Sequence, residues 1–252
     1  MTPTKDKTRS ALHGKSVLIT GAAKRIGRAC ALALAEAGAD VAITYLRSRN
    51  DAQKTARDIA NLGVRSLAVE CDVRDDKSIQ AAVKKVLGEF KQLDILVNNA
   101  AFYETAEVDE ITLEQWDNMF ATNTRGPFLF SRSCAPELCR RRGRIINIGS
   151  LGGLRPWISH AHYCQSKAAL HMQTQVLAKA YAPEIAVNCI SPGLIDSGEE
   201  ASNAFMKKMA AKTPMRRNGT AADVAAAVVM MATAPQFITG QILAVDGGLE
   251  LV

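Results

Sequence analysis

Aromatic residues are scarce in this 252-residue chain, 5% of the total, and none interleave with its arginines as a stacking platform for bases requires. Nucleic acid is therefore not expected as a partner. Long apolar runs are missing as well. No window approaches about eighteen uninterrupted apolar residues, and the opening MTPTKDKTRSALHGK carries charge without an apolar signal core behind it. Neither membrane insertion nor export is indicated. Six cysteines, at positions 30, 71, 134, 139, 164 and 189, make no CxxC and mostly fall in apolar helix or strand patterns. They read as reduced thiols, which points to a cytoplasmic chain. No linker, low-complexity tract or internal repeat divides the sequence, so a single domain is expected.

Apolar residues, in contrast, make up 48% of the chain, enough to bury a sizeable core. They gather in seven short runs that lack in/out alternation: 17–20, 41–45, 66–70, 94–99, 144–148, 185–190 and 242–246. Runs of that kind are strands buried on both faces. Between them the apolar period becomes helical, at 26–37, 51–61, 75–90, 112–139, 161–182 and 220–232. The alternation predicts an α/β fold, one Rossmann-type doubly wound parallel sheet of about seven strands with helices on both faces. Residues 1–13 are expected to be a flexible tail ahead of a domain spanning 14–252. The segment 196–218 breaks the alternation after a Pro-Gly and is the natural lid.

The first strand ends in T-G-A-A-K-R-I-G. Gly21 permits a tight turn, Gly27 lets the helix approach the strand, and the helix start offers free N–H groups to an anion. Such a turn holds the diphosphate of a dinucleotide, although a plain tight turn would use the same glycines. Sites for NAD place an acid about 20 residues further on, to accept the ribose hydroxyls. Here that acid is missing, and the second strand runs out through Tyr45, Leu46, Arg47, Ser48 and Arg49. A 2′-phosphate would meet guanidiniums and a hydroxyl there, with Lys24 in reach, which favours NADP(H). Ordinary surface charge is the alternative for Arg47 and Arg49.

A second group of polar residues follows the fifth run. Ser150 stands at a strand end in N-I-G-S-L-G-G, and Tyr163 and Lys167 in Y-C-Q-S-K are four apart, on one helix face. A free tyrosine has a pKa of about 10, and a neighbouring ammonium favours its phenolate. The trio makes sense as an acid, its tuner and an orienting hydroxyl.

T-G-x-x-x-x-x-G, Asp72 in C-D-V, N-N-A at 98–100, Asn123 in T-N-T, Ser150, Y-x-x-x-K, N-x-I-S-P-G at 188–193 and I-T-G-Q-x-x-x-V-D-G-G at 238–248 come in order. From about Leu12 onward the chain resembles the short-chain dehydrogenases/reductases. The resemblance implies that Tyr163 gives a proton to a substrate carbonyl as hydride arrives from the nicotinamide. It implies that Lys167 holds the nicotinamide ribose and lowers the tyrosine pKa, that Ser150 orients the carbonyl, and that Asn123 keeps a water in the proton relay. Gly21, Ile26 and Gly27 would belong to the diphosphate turn, and Lys24 and Arg25 would join the extra-phosphate site. Arg47 and Ser48 would take the extra phosphate, and Asp72 and Val73 the adenine. Asn98 and Ala100 would line the adenosine ribose, and Pro192, Gly193 and Ile195 would border the carboxamide. A homotetramer is implied, with a dimer as the alternative.

Two positions depart from the family pattern: Arg25 replaces the middle turn glycine, and Ala101 the glycine of N-N-A-G. The turn T-G-A-A-K-R-I-G followed by Y-L-R-S is similar to that of the pteridine reductases, which use NADPH but usually carry an aspartate where this chain has Ser150. A 3-oxoacyl thioester, on acyl carrier protein or coenzyme A, is therefore the expected substrate, and a dihydropterin the runner-up. A non-catalytic NADP(H)-binding protein is the reading from another class. The net charge of +6 is densest at Arg140, Arg141, Arg142 and Arg144, a run that can attract an acidic carrier or simply be a solvated helix end. The HxH at His160 and His162 is read as pocket wall, not a metal site. Cys164 is read as a packed thiol with reactivity as the alternative. Trp157, Leu194 and Met206 are candidate pocket walls.

Overall fold

A computed structural model describes residues 10–196 and 204–252. Seven parallel strands make one sheet: β1 (Ser16–Ile19), β2 (Asp40–Tyr45), β3 (Ser66–Glu70), β4 (Ile95–Asn98), β5 (Arg144–Ile148), β6 (Ala186–Pro192) and, after two short strands described below, β9 (Ile242–Val245). Their spatial order is β3-β2-β1-β4-β5-β6-β9. The chain winds outward from β1 to β3, then returns to pair β4 with the other side of β1. That reversal opens a crevice at the carboxyl ends of β1 and β4, where ligands bind in sheets of this kind.

Helices α1 (Arg25–Glu36), α2 (Arg49–Asn61), α3 (Asp76–Phe90), α5 (Gly126–Arg141), α6 (Ala161–Ala180) and α8 (Ala221–Thr233) cover the sheet, with α4 (Leu113–Phe120) running into α5 and α7 (Ala204–Lys212) beyond β6. Successive strand residues point to opposite faces. Val17 and Ile19 accordingly join the core beneath α1 and α8, while Leu18 joins the core beneath α3 and α5. Both faces are apolar, which is why the strands read as unbroken runs. Local sequence sets the helix starts. The Asp75 carboxylate accepts from the Lys77 N–H, and Thr112 with Gln115 and Thr220 with Asp223 form reciprocal caps on α4 and α8.

Two expectations are corrected by this architecture. The helical stretch at 112–139 is two helices joined by a wide turn, Ala121–Arg125, in which the Gly126 N–H reaches back to the Ala121 carbonyl. Residues 1–9 of the expected tail lie outside the described residues, but Leu12 is buried in the core and donates its N–H to Ala37. In the expected lid, residues 197–203 lie outside the described residues. Its flanks are ordered as β7 (Ile195–Asp196), paired with β8 (Gly219–Thr220), and as α7, whose Met206 is buried. Among the described residues no helix is long and apolar enough to cross a membrane.

The opposite edge of the sheet is tied by Asp94, just ahead of β4. Its carboxylate accepts from the Ser16 N–H at 3.0 Å, from Lys15 Nζ at 3.0 Å and from Arg141 Nε at 3.1 Å. Removing it strands a buried N–H and leaves two cations unpaired. Asp94→Ala should lower unfolding free energy by about 2 kcal/mol, below the usual figure for a buried pair because Lys15 and Arg141 are partly solvated. Urea denaturation measures this, and a loss under about 0.5 kcal/mol would show the cluster to be ornamental.

Candidate active site

The crevice is built on backbone contacts between the ends of β1 and β4. Thr20 Oγ1 accepts from the N–H groups of Asn99 and Ala100, at 3.0 and 2.9 Å, and Thr44 Oγ1 accepts from the Gly21 N–H at 3.1 Å. Gly21 lies at φ 62°, and a Cβ there would stand 2.8 Å from Ala100 Cα. At Gly27 a Cβ would stand 2.7 Å from Ala22 Cα. Both positions thus need glycine, one for its conformation as well as its closeness. Arg25 also takes a left-handed conformation, φ 52°. It occupies a glycine's geometry with a guanidinium side chain. No side chain caps the start of α1 and no acid lies in its first turn, so its leading N–H groups face outward as an anion site does.

The flank that was expected to select the cofactor is basic in the structure too. Arg47 is exposed, and Ser48 sits at the start of α2 without capping it. Lys24 pairs with Asp51 at 2.9 Å and Arg49 with Glu70 at 2.6 Å. Asp72 binds Arg74 through Nε and Nη2, which holds its carboxyl below the ordinary value. Ile26 packs on the core and Val73 lies against the start of α5. Asn98 corrects its expectation. Its amide turns into the sheet, donating to Asn147 at 2.9 Å and Ser131 at 3.2 Å. The side chain beside the glycine turn is instead Asn99, which donates to the carbonyls of Thr20 and Gly21. These residues fit a dinucleotide: two glycines where no Cβ has room, an uncapped helix start and a basic rim.

Next to this cradle, β5 delivers Ser150 and α6 delivers Tyr163 and Lys167. Ser150 Oγ accepts from the Gly152 N–H at 3.1 Å and stands in hydrogen-bonding position to the Tyr163 phenol. Lys167 is almost fully buried and donates to the Ile148 carbonyl at 2.8 Å, with Nζ 5.8 Å from the centre of the Tyr163 ring. Burial depresses the lysine to about 8. Burial also pushes the Tyr163 phenol up to about 12, against the Ser150 hydrogen bond that lowers it. Desolvation thus sets the net position of the phenol, above its ordinary value, while the Lys167 ammonium points to a backbone carbonyl. His171, one turn further along α6, is held down at about 4 by burial and then by Lys167, and packs against Gly149 and Gly153.

Asn123 lies in the wide turn between α4 and α5, a widening often found at functional sites. Its oxygen accepts from the Phe102 N–H at 2.8 Å, and its amide donates to the Phe102 carbonyl at 2.9 Å and to Ser166 Oγ at 3.1 Å. Its side chain thus pins the loop after β4. That loop carries two residues the sequence reading passed over. Tyr103 meets Tyr163 edge-on, ring centres 5.0 Å apart, and Glu104 Oε1 lies 3.4 Å from His162 Nε2. Their signal was position: the loop after β4 opens onto the crevice in this topology.

Other candidates divide. Trp157 packs edge-on against His160, while Met206 is core. Gly193 donates to Val245, and Ile195 is paired in β7 beyond Pro192, the last residue of β6. The Cys164 thiol is buried and pushed up by that burial, in keeping with a packed cysteine. The arginine run sits at the wrong end for substrate capture. Arg144 opens β5 whereas Ser150 follows its far end, and Arg140 and Arg141 pair with Glu137 and Asp94.

Comparison with known proteins agrees with this geometry. The family model described as enoyl-(acyl carrier protein) reductase matches residues 21–250. The 3-oxoacyl-[acyl-carrier-protein] reductase FabG of Staphylococcus aureus is 35% identical over 242 residues, 94% of this chain and 98% of the relative. A short-chain dehydrogenase/reductase from Serratia marcescens superposes with a TM-score of 0.91 at 34% identity, covering 95% of this chain and 99% of that one. A blue fluorescent protein from a metagenomic library, crystallised in complex with NADPH, gives 0.90 at 32%, with coverage of 95% and 99%. An NAD+-bound xylitol dehydrogenase gives 0.87 at 27%, with coverage of 94% and 99%. The chain belongs to the short-chain dehydrogenase/reductase family, and is an oxidoreductase of the class that works with a nicotinamide cofactor.

The depressed lysine has a signature in stability. Between about 8 and its ordinary 10.5, Lys167 has released its proton in the folded chain and keeps it in the unfolded one. The unfolded state then binds more protons, so stability rises with pH across that window. Relative to Lys167→Met, the wild-type protein should gain unfolding free energy from pH 8 to pH 10.5 in denaturant titrations. A difference that stays flat would mean that the lysine is solvated.

Proposed function

We propose that the protein is an NADPH-dependent carbonyl reductase acting on 3-oxoacyl thioesters, with Tyr163 as the proton donor. The observation that carries this reading is the convergence of Ser150, Tyr163 and Lys167 at the carboxyl end of β5, beside the glycine cradle. A phenol pushed up to about 12 holds its proton throughout the physiological range, as a general acid for carbonyl reduction must. Ser150, already in hydrogen-bonding position to that phenol, orients the substrate oxygen beside it. As the phenol gives up its proton, the Lys167 ammonium stabilises the phenolate that forms. Asn123 keeps the loop after β4 closed on the pocket. NADPH, when bound, supplies the hydride.

Preference for NADPH is supported by the basic end of β2, where Arg47 is exposed, Ser48 leaves its hydroxyl off the α2 cap, and positions 45–49 hold no acid. Lys24 can join them by leaving Asp51, since an exposed ion pair contributes at most about 1 kcal/mol. The thioester is supported by Ser150 and by the name of the staphylococcal relative, not by the arginine run. A homotetramer belongs to this reading, supported by exposed Phe128 on α5 and Met172 and Val176 on α6. So does a reducing, cytoplasmic setting, since all six cysteines are free.

The test is NADPH consumption by the purified protein with acetoacetyl-CoA and dihydrobiopterin side by side, and NADH as control. Faster turnover of the thioester supports the reading; faster turnover of the pterin transfers it to a pteridine reductase. Tyr163→Phe should lower kcat by about a thousandfold and leave NADPH affinity unchanged. Arg47→Asp should weaken NADPH binding by about tenfold or more while sparing NADH. Equal affinities for both cofactors in that variant would overturn the phosphate assignment.

A further inference from the structure

Two loops meet over Tyr163, and side chains from both are linked. The loop after β4 brings Tyr103, whose phenol hydrogen-bonds His160 Nε2 on the segment before α6. The other nitrogen of that ring, Nδ1, is 2.9 Å from Ser159 Oγ. The loops are stitched again where the Ala106 N–H donates to the Ser159 carbonyl at 3.1 Å and where Glu104 faces the buried His162 at 3.4 Å. On its far side the first loop is fixed by both hydrogen bonds between Asn123 and the Phe102 backbone. Tyr103 is thus held from three directions. Its ring edge still meets Tyr163 at 5.0 Å, and more than half of its surface is open to solvent.

A phenol held this firmly, this near the reacting hydroxyl and still exposed, is suited to touch substrate. Burial and the neighbouring His162 hold His160 below its ordinary value, which favours the neutral ring, in which one nitrogen accepts while the other donates. In the tautomer where Ser159 donates to Nδ1, Nε2–H donates to the Tyr103 oxygen and leaves the phenol hydrogen, polarised, for a ligand. A substrate whose reacting carbonyl lies against Tyr163 and Ser150 would place a second oxygen, a few bonds away, at Tyr103.

We propose that Tyr103, braced by His160 and Ser159, is a specificity-determining residue that selects carbonyl compounds bearing a second oxygen close to the reacting carbonyl, as in 3-oxo thioesters and 3-oxo esters. This deepens the carbonyl-reductase reading and rests on it. Compounds with one carbonyl and no second oxygen would use Tyr163 and Ser150 alone. The contact belongs to binding more than to the chemical step, so its loss would fall on KM more than on kcat.

The test compares NADPH-dependent reduction of ethyl acetoacetate with that of heptan-2-one, which has the same chain length and lacks the ester oxygens. Tyr103→Phe should lower kcat/KM for the oxo ester by about five- to tenfold, the worth of one hydrogen bond, and leave heptan-2-one within about twofold. His160→Ala should reproduce part of that loss, His160→Gln should restore it, and the Tyr103→Phe/His160→Ala double variant should lose less than the two single losses combined. Equal losses on both substrates would make Tyr103 a structural residue and overturn the proposal. So would an unchanged oxo ester rate. A wild-type protein that binds NADPH and reduces neither compound would overturn the carbonyl-reductase reading and this inference with it.

Discussion

One buried ammonium governs the arrangement of this site. Lys167 lies beneath the pocket floor, and an unpaired charge in that position is strongly disfavoured. The fold answers with a carbonyl: Ile148, the last residue of β5, accepts from Nζ at 2.8 Å. The same strand end carries Ser150 two residues on, and the same helix carries Tyr163 one turn back. Holding the lysine therefore fixes the distance between acid and orienting hydroxyl. The depression to about 8 comes from desolvation, offset in part by Cys189.

The supports around it come from every layer of the sheet. Asn147, just inside β5, donates to Thr174 on α6 at 2.9 Å and accepts from Asn98 on β4. This buried amide chain locks the strand carrying Ser150 to its neighbour and to the helix carrying the lysine. On the cofactor side, Thr20 and Asn99 knit the ends of β1 and β4 so closely that two positions exclude any Cβ. Rigidity is thus concentrated at the carboxyl ends of β1, β4 and β5. The variable parts, the loop with Tyr103 and the stretch before α6, are stitched onto that frame by side chains.

Most of the frame could be read from the sequence because parallel strands covered on both faces leave uninterrupted apolar runs. All seven runs became strands of the one sheet, and the trio stood out through the ordered set of motifs around it more than through its own spacing. What stayed hidden depended on geometry that periodicity does not encode. The wide turn at Ala121–Arg125 interrupts a stretch whose helical period continues through it. Asn98 and Asn99 are chemically identical neighbours, and only the pleat decides which one faces the glycine turn. The net position of the Tyr163 phenol could not be read from i, i+4 spacing, since its own burial pushes it up to about 12. The place of the arginine run was legible and overlooked: residues preceding a parallel strand lie at the edge opposite its carboxyl end.

The burial of Leu12 bears on how the protein can be handled. Its side chain belongs to the same core as α1, and Ser10 Cβ lies where a side chain on Gly38 would go. A shortened version for crystallisation cannot begin at Gly14. Cutting at Gly14 would uncover the end of α1 and expose apolar surface to neighbouring molecules, turning a trimming intended to promote ordered lattices into a source of aggregation.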